Sequence, residues 1–276
     1  MHKMVDGATA IMNEQLLILG AGLDTWYHHC CRRSFHVDYE NIVSDYMLAN
    51  VSPNTCLVSA DLRDLNSLEA GLLHNGFDFN KGTVILIECV LCYIDMKHVK
   101  ALLSYLSGKL TTSILLLYNP ILPHMQHDYD GAISTIQKHR TIDDHSFSRH
   151  LQRGFASKGS PIRSISESAT DVTELLLSEG YKYVNTMTME QASFSLLAPS
   201  APTTNDPVLG KKEAFDEHIS ERLLTQRYIV SWCSNSSDCF RKLSSALMAC
   251  QNHRTHKEMD SKSIKPTQLG ANKTGM

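Results

Sequence analysis

The chain has 276 residues, of which 42% are hydrophobic and 20% charged, a composition typical of a soluble globular protein with one sizeable core. Its 26 basic and 29 acidic residues leave a formal net charge of −3, so the basic surface of a nucleic-acid-binding protein is not expected. The sequence contains neither a long apolar run nor a secretory signal pattern. These features predict a cytoplasmic protein with no membrane span.

The eight cysteines stand at irregular spacings and are expected to be free, mostly buried thiols rather than disulfides. The run HHCC at 28–31 contains metal-ligand types, but no second ligand pair stands at zinc-like spacing. Cys89 and Cys92 have CxxC spacing within an apolar run, which favours buried thiols over a redox pair. The sequence therefore predicts no metal site.

Short runs of branched apolar residues recur through the first half of the chain and predict β-strands. They cover residues 16–19, 35–37, 55–59, 84–87 and 113–118. Apolar residues at helical spacing predict helices over 66–73 and 96–110 between these runs. Strands that alternate with helices indicate an α/β fold with a doubly wound, mostly parallel sheet.

The second half of the chain is less regular. Residues 119–170 are rich in His, Asp and Ser and are interpreted as a variable insertion in a domain that covers 1–251. A helix over 171–179, with Gly180 as its stop, precedes a strand over 181–189.

The last part of the chain alternates polar and apolar stretches. A loop is predicted over 198–207, a charged helix over 212–227, and a strand over 228–232. The polar stretch 252–276 has the composition of a disordered tail.

Gly20-Ala21-Gly22 follows the first predicted strand, where glycines let the backbone approach a bound ligand closely. A dinucleotide fingerprint would have a third glycine at the position of Thr25, and Asp24 would lie unfavourably beside a pyrophosphate. The turn therefore favours a cofactor whose near end is a zwitterionic amino acid. The alternative is a glycine turn that serves only tight packing.

Three acidic residues stand at or just after the ends of successive predicted strands. Asp38 is placed to accept hydrogen bonds from ribose hydroxyls, and Asp61 to meet an adenine amino group while Leu62 packs on the ring. Glu88 ends the fourth strand, at the edge where open α/β sheets bind ligands. Alone, an Asp after a strand is most often a helix cap or turn residue, and Asp64 fits the role of helix N-cap better than Asp61. An exposed Glu at a strand end is an ordinary structural feature.

The segments LGAGLDT, VDY, ADLRDL and ECVLCY, in this order and at this spacing, resemble the leucine carboxyl methyltransferase family. The later segment EAFDE at 213–217, followed by Arg227-Tyr228, is similar to the family's C-terminal pattern, although Arg227 replaces its usual histidine. The resemblance covers most of 16–235, with a poor match over 119–160.

The resemblance implies a Rossmann-like class I methyltransferase fold and S-adenosylmethionine as cofactor. By position, the implied contacts are the methionine part with Gly20 and Gly22, ribose with Asp38, adenine with Asp61 and Leu62, the amino group with Glu88, and the acceptor with Tyr93. The implied reaction is methylation of the C-terminal leucine α-carboxylate of the protein phosphatase 2A catalytic subunit, by a monomer.

This chemistry needs few catalytic groups, because an α-carboxylate with a pKa of about 3.5 is already ionised at neutral pH. Neither a general base nor a metal is required, and catalysis rests on alignment of the reactants and exclusion of water.

Family members carry a basic helical segment before the first strand, whereas here about fifteen residues precede it, with Lys3 as their only base. This segment is therefore expected to be missing. The alternatives are a methyltransferase related to tRNA wybutosine synthesis, a small-molecule O-methyltransferase, or a non-catalytic member of the family.

Overall fold

The computed structural model describes residues 1–23, 33–47, 52–121, 153–157, 159–189, 191–192 and 228–247. Its strands are β1 (Gln15–Leu19), β2 (Ser34–Asp38), β3 (Thr55–Ser59), β4 (Thr83–Glu88), β5 (Ser113–Pro120), β6 (Tyr183–Thr188) and β7 (Tyr228–Ser234). Its helices are α1 (His2–Ile11), α2 (Glu40–Met47), α3 (Leu65–His74), α4 (Met96–Lys109), α5 (Ala169–Ser178) and α6 (237–247). A 3₁₀ turn lies at Leu91–Tyr93, and a short helical segment at 153–157.

The seven strands form one sheet in the order β3-β2-β1-β4-β5-β7-β6. Strands β1 to β5 pair in parallel, whereas β7 runs antiparallel to both of its neighbours. The strand order reverses between β1 and β4, and ligands of open α/β sheets bind at the carboxyl ends of the strands beside such a reversal. The predicted doubly wound, mostly parallel sheet is confirmed.

The middle positions of the central strands are apolar because helices cover both faces of the sheet. All five residues of β1 are buried, and alternate side chains enter two separate cores. Leu17 packs with α3 and α4 residues on one face, whereas Leu16 packs with α1 and α6 residues on the other. A charge at either position would remain uncompensated inside the molecule.

Helices α1 and α6 cover the second face and were not predicted from the sequence. Val5 of α1 is fully buried, and the Cβ position of Gly7 lies 3.6 Å from Leu243 of α6. Glycine lowers helix propensity, so the segment around Gly7 is a poor helix in isolation. The contact with α6 therefore depends on tertiary packing that a local pattern does not reveal.

The boundaries of several elements are fixed by caps. Asp64 accepts hydrogen bonds from the N–H groups of Asn66 and Ser67, which confirms it as the N-cap of α3. Ser168 and Asp171 form a capping box, so α5 begins at Ala169, two residues before the predicted start.

The region 119–170 is bounded by regular structure at both ends. Strand β5 continues to Pro120, Ile121 bridges Ser166, and α5 begins within the region. Several predicted features lie outside the described residues: most of this region, the helix at 212–227, the EAFDE segment and the tail at 252–276. Within the described ranges, none of the helices has the length and apolar character needed to cross a membrane.

Candidate active site at the carboxyl edge of the sheet

The glycine turn after β1 is tied to β2 by two backbone hydrogen bonds. The N–H groups of Gly20 and Ala21 donate to the carbonyl of Val37 at 2.8 and 3.1 Å. Gly20 has φ +72°, and a Cβ there would lie 2.3 Å from a Val90 methyl carbon. Gly22 has φ +57°, and among the described residues no atom beyond its immediate neighbours lies within 4 Å of its Cβ position. Gly20 thus serves packing, whereas the Cβ position of Gly22 is open with respect to the described part of the chain.

Asp38 is the last residue of β2, and its carboxylate faces the glycine turn. Its Oδ2 accepts a hydrogen bond from the Gly22 N–H at 2.8 Å, and its Oδ1 accepts one from the Tyr39 N–H at 2.7 Å. A carboxylate has roughly four acceptor sites, so these two bonds orient the group and leave acceptor capacity. Asp38 is therefore held beside the open space at Gly22, as its assignment to ribose requires.

Glu88 is the last residue of β4 and is half-buried. The next residue, Cys89, has φ +53°, a left-handed conformation that is uncommon for a residue with a side chain. Its N–H donates to the Tyr118 carbonyl at 2.7 Å, which holds the bend in place. The bend brings Val90 beneath Gly20, so the turns after β1 and β4 interlock.

Asp61 follows β3 and forms a bidentate ion pair with Arg63. Arg63 donates from Nη2 to Oδ2 at 2.6 Å, from Nε to both oxygens at 3.0 Å, and from its backbone N–H to Oδ1 at 2.9 Å. These hydrogen bonds lower the pKa of Asp61. They also occupy most of the acceptor sites of the Asp61 carboxylate. The contact between Asp61 and adenine remains a prediction, and it would require Arg63 to give up at least one of these hydrogen bonds.

Leu62 is only 7% exposed and belongs to the core on the α3 and α4 face, so its predicted contact with adenine also remains a prediction. Two other apolar side chains border the glycine turn and Asp38: Leu23 is 62% exposed and Tyr39 is 50% exposed. Sequence reasoning did not identify Arg63, Leu23 or Tyr39. The signals were present, since each lies within two residues of a predicted contact.

Tyr93 lies in the 3₁₀ turn after β4, beyond Glu88 and Cys89. Its ring meets that of Phe155 edge to face, with 5.9 Å between the ring centroids. The N–H groups of Arg163 and Ser164 donate to the carbonyl of Cys92, so a distant segment fixes this turn. Burial raises the pKa of Tyr93 to about 12. The phenol is therefore neutral at physiological pH.

Two further tyrosines stand at the same edge, and sequence reasoning missed both as site residues. Tyr118 of β5 and Tyr228 of β7 stack with ring centroids 5.2 Å apart and an angle of 12° between the ring planes. Burial raises the pKa of each, and Cys89 adds to the shift in both cases. Tyr228 was noted only as part of the family motif, because its place beside β5 depends on long-range pairing.

The two thiols of the CxxC segment are consistent with the predicted buried, free cysteines. Burial raises the pKa of Cys89 to about 11 and that of Cys92 to about 12. Cys92 donates from Sγ to the Cys89 carbonyl at 3.6 Å. Across the described part of the chain, no cluster of three or more His, Cys, Asp or Glu side chains is arranged to hold a metal ion. The HHCC run lies outside that part.

The chain resembles known proteins in sequence. Residues 1–107 match the family model described as leucine carboxyl methyltransferase. The leucine carboxyl methyltransferase 1 homolog of Arabidopsis thaliana is 23% identical over 255 residues, which are 81% of this chain and 70% of that protein. Leucine carboxyl methyltransferase 1 of Yarrowia lipolytica is 25% identical over 174 residues, which are 62% of this chain but only 46% of that protein.

A solved structure supports the fold independently. A protein from Thermobifida fusca, described provisionally as a methyltransferase, superposes with a TM-score of 0.53 at 15% identity, covering 84% of this chain and 79% of its own. At this identity the likeness concerns the fold alone. Together with the strand order, it confirms the Rossmann-like α/β fold class. The sequence matches confirm that the chain, through residues 1–107, resembles the leucine carboxyl methyltransferase family.

Proposed function

We propose that this protein binds S-adenosylmethionine at the carboxyl edge of β1 to β4 and methylates the α-carboxylate of a C-terminal leucine. The observation that carries the proposal is the placement of Asp38 and Glu88 on either side of the glycine turn, with open space at Gly22. The family match favours the same reaction. The proposed protein substrate is the catalytic subunit of protein phosphatase 2A.

The residues present fit the chemical groups of this cofactor. A ribose diol offers two hydroxyl donors, and the oriented carboxylate of Asp38 retains acceptor sites for them. An α-ammonium group calls for an anion, and Glu88 supplies one at the end of β4. The exposed side chains of Leu23 and Tyr39 offer apolar surface to a planar base.

When bound, S-adenosylmethionine supplies a methyl group on a positively charged sulfur, which an anionic oxygen can attack. The acceptor carboxylate is ionised at neutral pH, so the chain need not remove a proton from it. Its task is to orient the carboxylate and to exclude water from it. The neutral tyrosines and thiols after β4, near the end of β5 and at the start of β7 suit that task because they add no competing charge.

The proposal is tested with purified protein, radiolabelled S-adenosylmethionine and two peptides that differ only at their C-terminus. One peptide ends in leucine with a free carboxylate, and the other ends in leucine amide. We expect label to enter only the free-acid peptide, in a base-labile ester. Equal labelling of both peptides would contradict carboxyl methylation and point to another acceptor. Cofactor binding without any transfer would indicate a non-catalytic member of the family.

The phosphatase is tested separately, because the peptide assay addresses only the chemistry. We expect the intact catalytic subunit to be labelled, and a form that lacks its terminal leucine to remain unlabelled. If the free-acid peptide is labelled and the intact subunit is not, the phosphatase catalytic subunit is not the substrate.

A further inference from the structure

The stacked pair Tyr118 and Tyr228 stands directly beside Glu88. Glu88 of β4 pairs in register with Tyr118 of β5, and Tyr228 pairs with Pro120, two residues further along β5. Residues two apart on a strand share a face, which accounts for the ring stack at a 5.2 Å centroid separation. Both phenols therefore lie one or two strands away from the residue assigned to the cofactor's ammonium group.

The surroundings keep these phenols as hydrogen-bond donors. Burial comes first among the causes that raise the pKa of both tyrosines, and the Cys89 thiol adds to each shift. Glu88 raises the pKa of Tyr118 further, because its negative charge opposes a second negative charge nearby. At physiological pH each hydroxyl carries its proton and can donate it to an anion.

We infer that the hydroxyls of Tyr118 and Tyr228 donate hydrogen bonds to the carboxylate of the acceptor peptide and position it for methyl transfer. The inference deepens the proposed function and rests on it. In the step, one carboxylate oxygen forms a bond to the methyl carbon while the carbon–sulfur bond breaks and its electron pair stays on sulfur. The other oxygen accepts the phenolic hydrogen bonds, and no proton changes place.

Neutral donors are suited to this acceptor. An arginine or lysine in their place would stabilise the carboxylate ground state, whose charge is lost on methylation, and would slow the step. A hydrogen bond from a neutral phenol to an anion still gains from the charge, so it distinguishes a carboxylate from a carboxamide. The pair therefore acts as a specificity device for a free C-terminus.

The test measures peptide binding and turnover for Tyr118→Phe, Tyr228→Phe and the double variant. Phenylalanine retains the ring stack and removes only the hydroxyl. Tyr183→Phe is the matched control, because Tyr183 also stacks on an aromatic ring, that of Phe240, at the amino end of β6. Binding is measured by calorimetry with free-acid and amidated peptides in the presence of S-adenosylhomocysteine, so that it does not depend on turnover.

We expect each site variant to lower kcat/KM for the free-acid peptide about 10- to 100-fold, with the cofactor affinity unchanged. We expect the wild type and Tyr183→Phe to bind the free acid more tightly than the amide, and the double variant to lose this preference. Wild-type kinetics in the double variant, or an acid preference that survives in it, would overturn the inference.

The binding arm separates this inference from the proposed function. A wild type that prefers the free acid in binding but transfers no methyl group would contradict the proposed function. The tyrosine pair would then still be assigned as a carboxylate-binding site, provided that the double variant loses the preference. Equal binding of acid and amide by the wild type would overturn the inference.

Discussion

The two halves of the carboxyl edge use different chemistry. Beside the glycine turn of β1, the ends of β2 and β3 carry the carboxylates Asp38 and Asp61, which hydrogen bonds from neighbouring N–H or guanidinium groups orient. After β4, near the end of β5 and at the start of the antiparallel β7, the edge is lined by tyrosines and thiols whose pKa values burial raises. Glu88 marks the border between the two.

This difference suggests how one edge can bind both a cationic cofactor and an anionic acceptor. Carboxylates are placed where the proposed ligand offers hydroxyl and ammonium groups, and neutral donors where it offers an anion. Each half can therefore be disturbed separately. Substitutions in the first half should change the stability of the fold and the affinity for the cofactor. Substitutions in the second half should change binding and methylation of the acceptor peptide.

The largest effect is expected at the interlocked turns of the first half. In Gly20→Ala the new Cβ would clash with Val90 at 2.3 Å and occupy a φ of +72°. Left-handed backbone and overpacking together are expected to lower the free energy of unfolding by about 2–5 kcal/mol in urea denaturation. Adding Val90→Ala should recover part of this loss, and an unchanged stability in Gly20→Ala would contradict the packing role.

Gly22→Ala is the matched control for the packing effect. Its Cβ position is open and only φ is unfavourable, so its free energy of unfolding should fall by about 1–2 kcal/mol. The Gly22 variant should instead lose cofactor affinity, because its new methyl group enters the space proposed for the cofactor. A stability loss as large as that of Gly20→Ala would contradict the proposal that Gly20 serves packing and Gly22 serves cofactor binding.

A smaller effect, mainly on cofactor binding, is expected at Asp38. Asp38→Ala removes the acceptor proposed for the ribose, and the affinity for S-adenosylmethionine should fall about 10- to 100-fold in calorimetry. Asp78→Ala is the control. The Asp78 carboxylate accepts a hydrogen bond from the Asn80 N–H in the loop before β4, at the opposite edge of the sheet. Similar cofactor affinity in the two variants would refute the strand-end assignment.

The smallest effect is expected from Arg63→Met. Its ion pair with Asp61 is partly exposed, with side chains 44% and 32% accessible, so stability at neutral pH should change little. Arg63 lowers the pKa of Asp61 below that of the unfolded chain. The stability from this pair is therefore present above about pH 4 and lost as the pH falls through the lowered pKa.

The variant should accordingly lose stability less steeply than the wild type between about pH 5 and pH 2, as measured by urea denaturation at each pH. Carbon-detected NMR titration of the Asp61 carboxyl should show its pKa rise in the variant. Identical titration curves in the two proteins would contradict the bidentate pair.

Features with a local signature could be predicted from the sequence. Runs such as LLIL before Gly20 predict buried parallel strands, and the acids at 38 and 88 follow directly from the strand ends. Tyr228 was different, because its partner Tyr118 is far away along the chain and β7 pairs antiparallel with β5. No local pattern records such a pairing, which is why the stacked tyrosine pair emerged only from the structure, whereas Tyr93 was already predicted from its motif.

Arg63 shows a second limit. The sequence Asp-Leu-Arg after a strand is compatible with two arrangements. The Asp carboxylate can be available to a ligand, or it can already form an ion pair with the Arg two residues later. Only the side-chain geometry distinguishes the two arrangements, and in the structure Asp61 and Arg63 form the bidentate pair.

Calorimetric titration of the wild-type protein with S-adenosylmethionine is the most direct test of the carboxyl edge as a cofactor site. We expect one cofactor to bind per chain, and binding to be abolished when S-adenosylhomocysteine saturates the protein beforehand. No measurable binding, or binding that S-adenosylhomocysteine leaves unchanged, would contradict it.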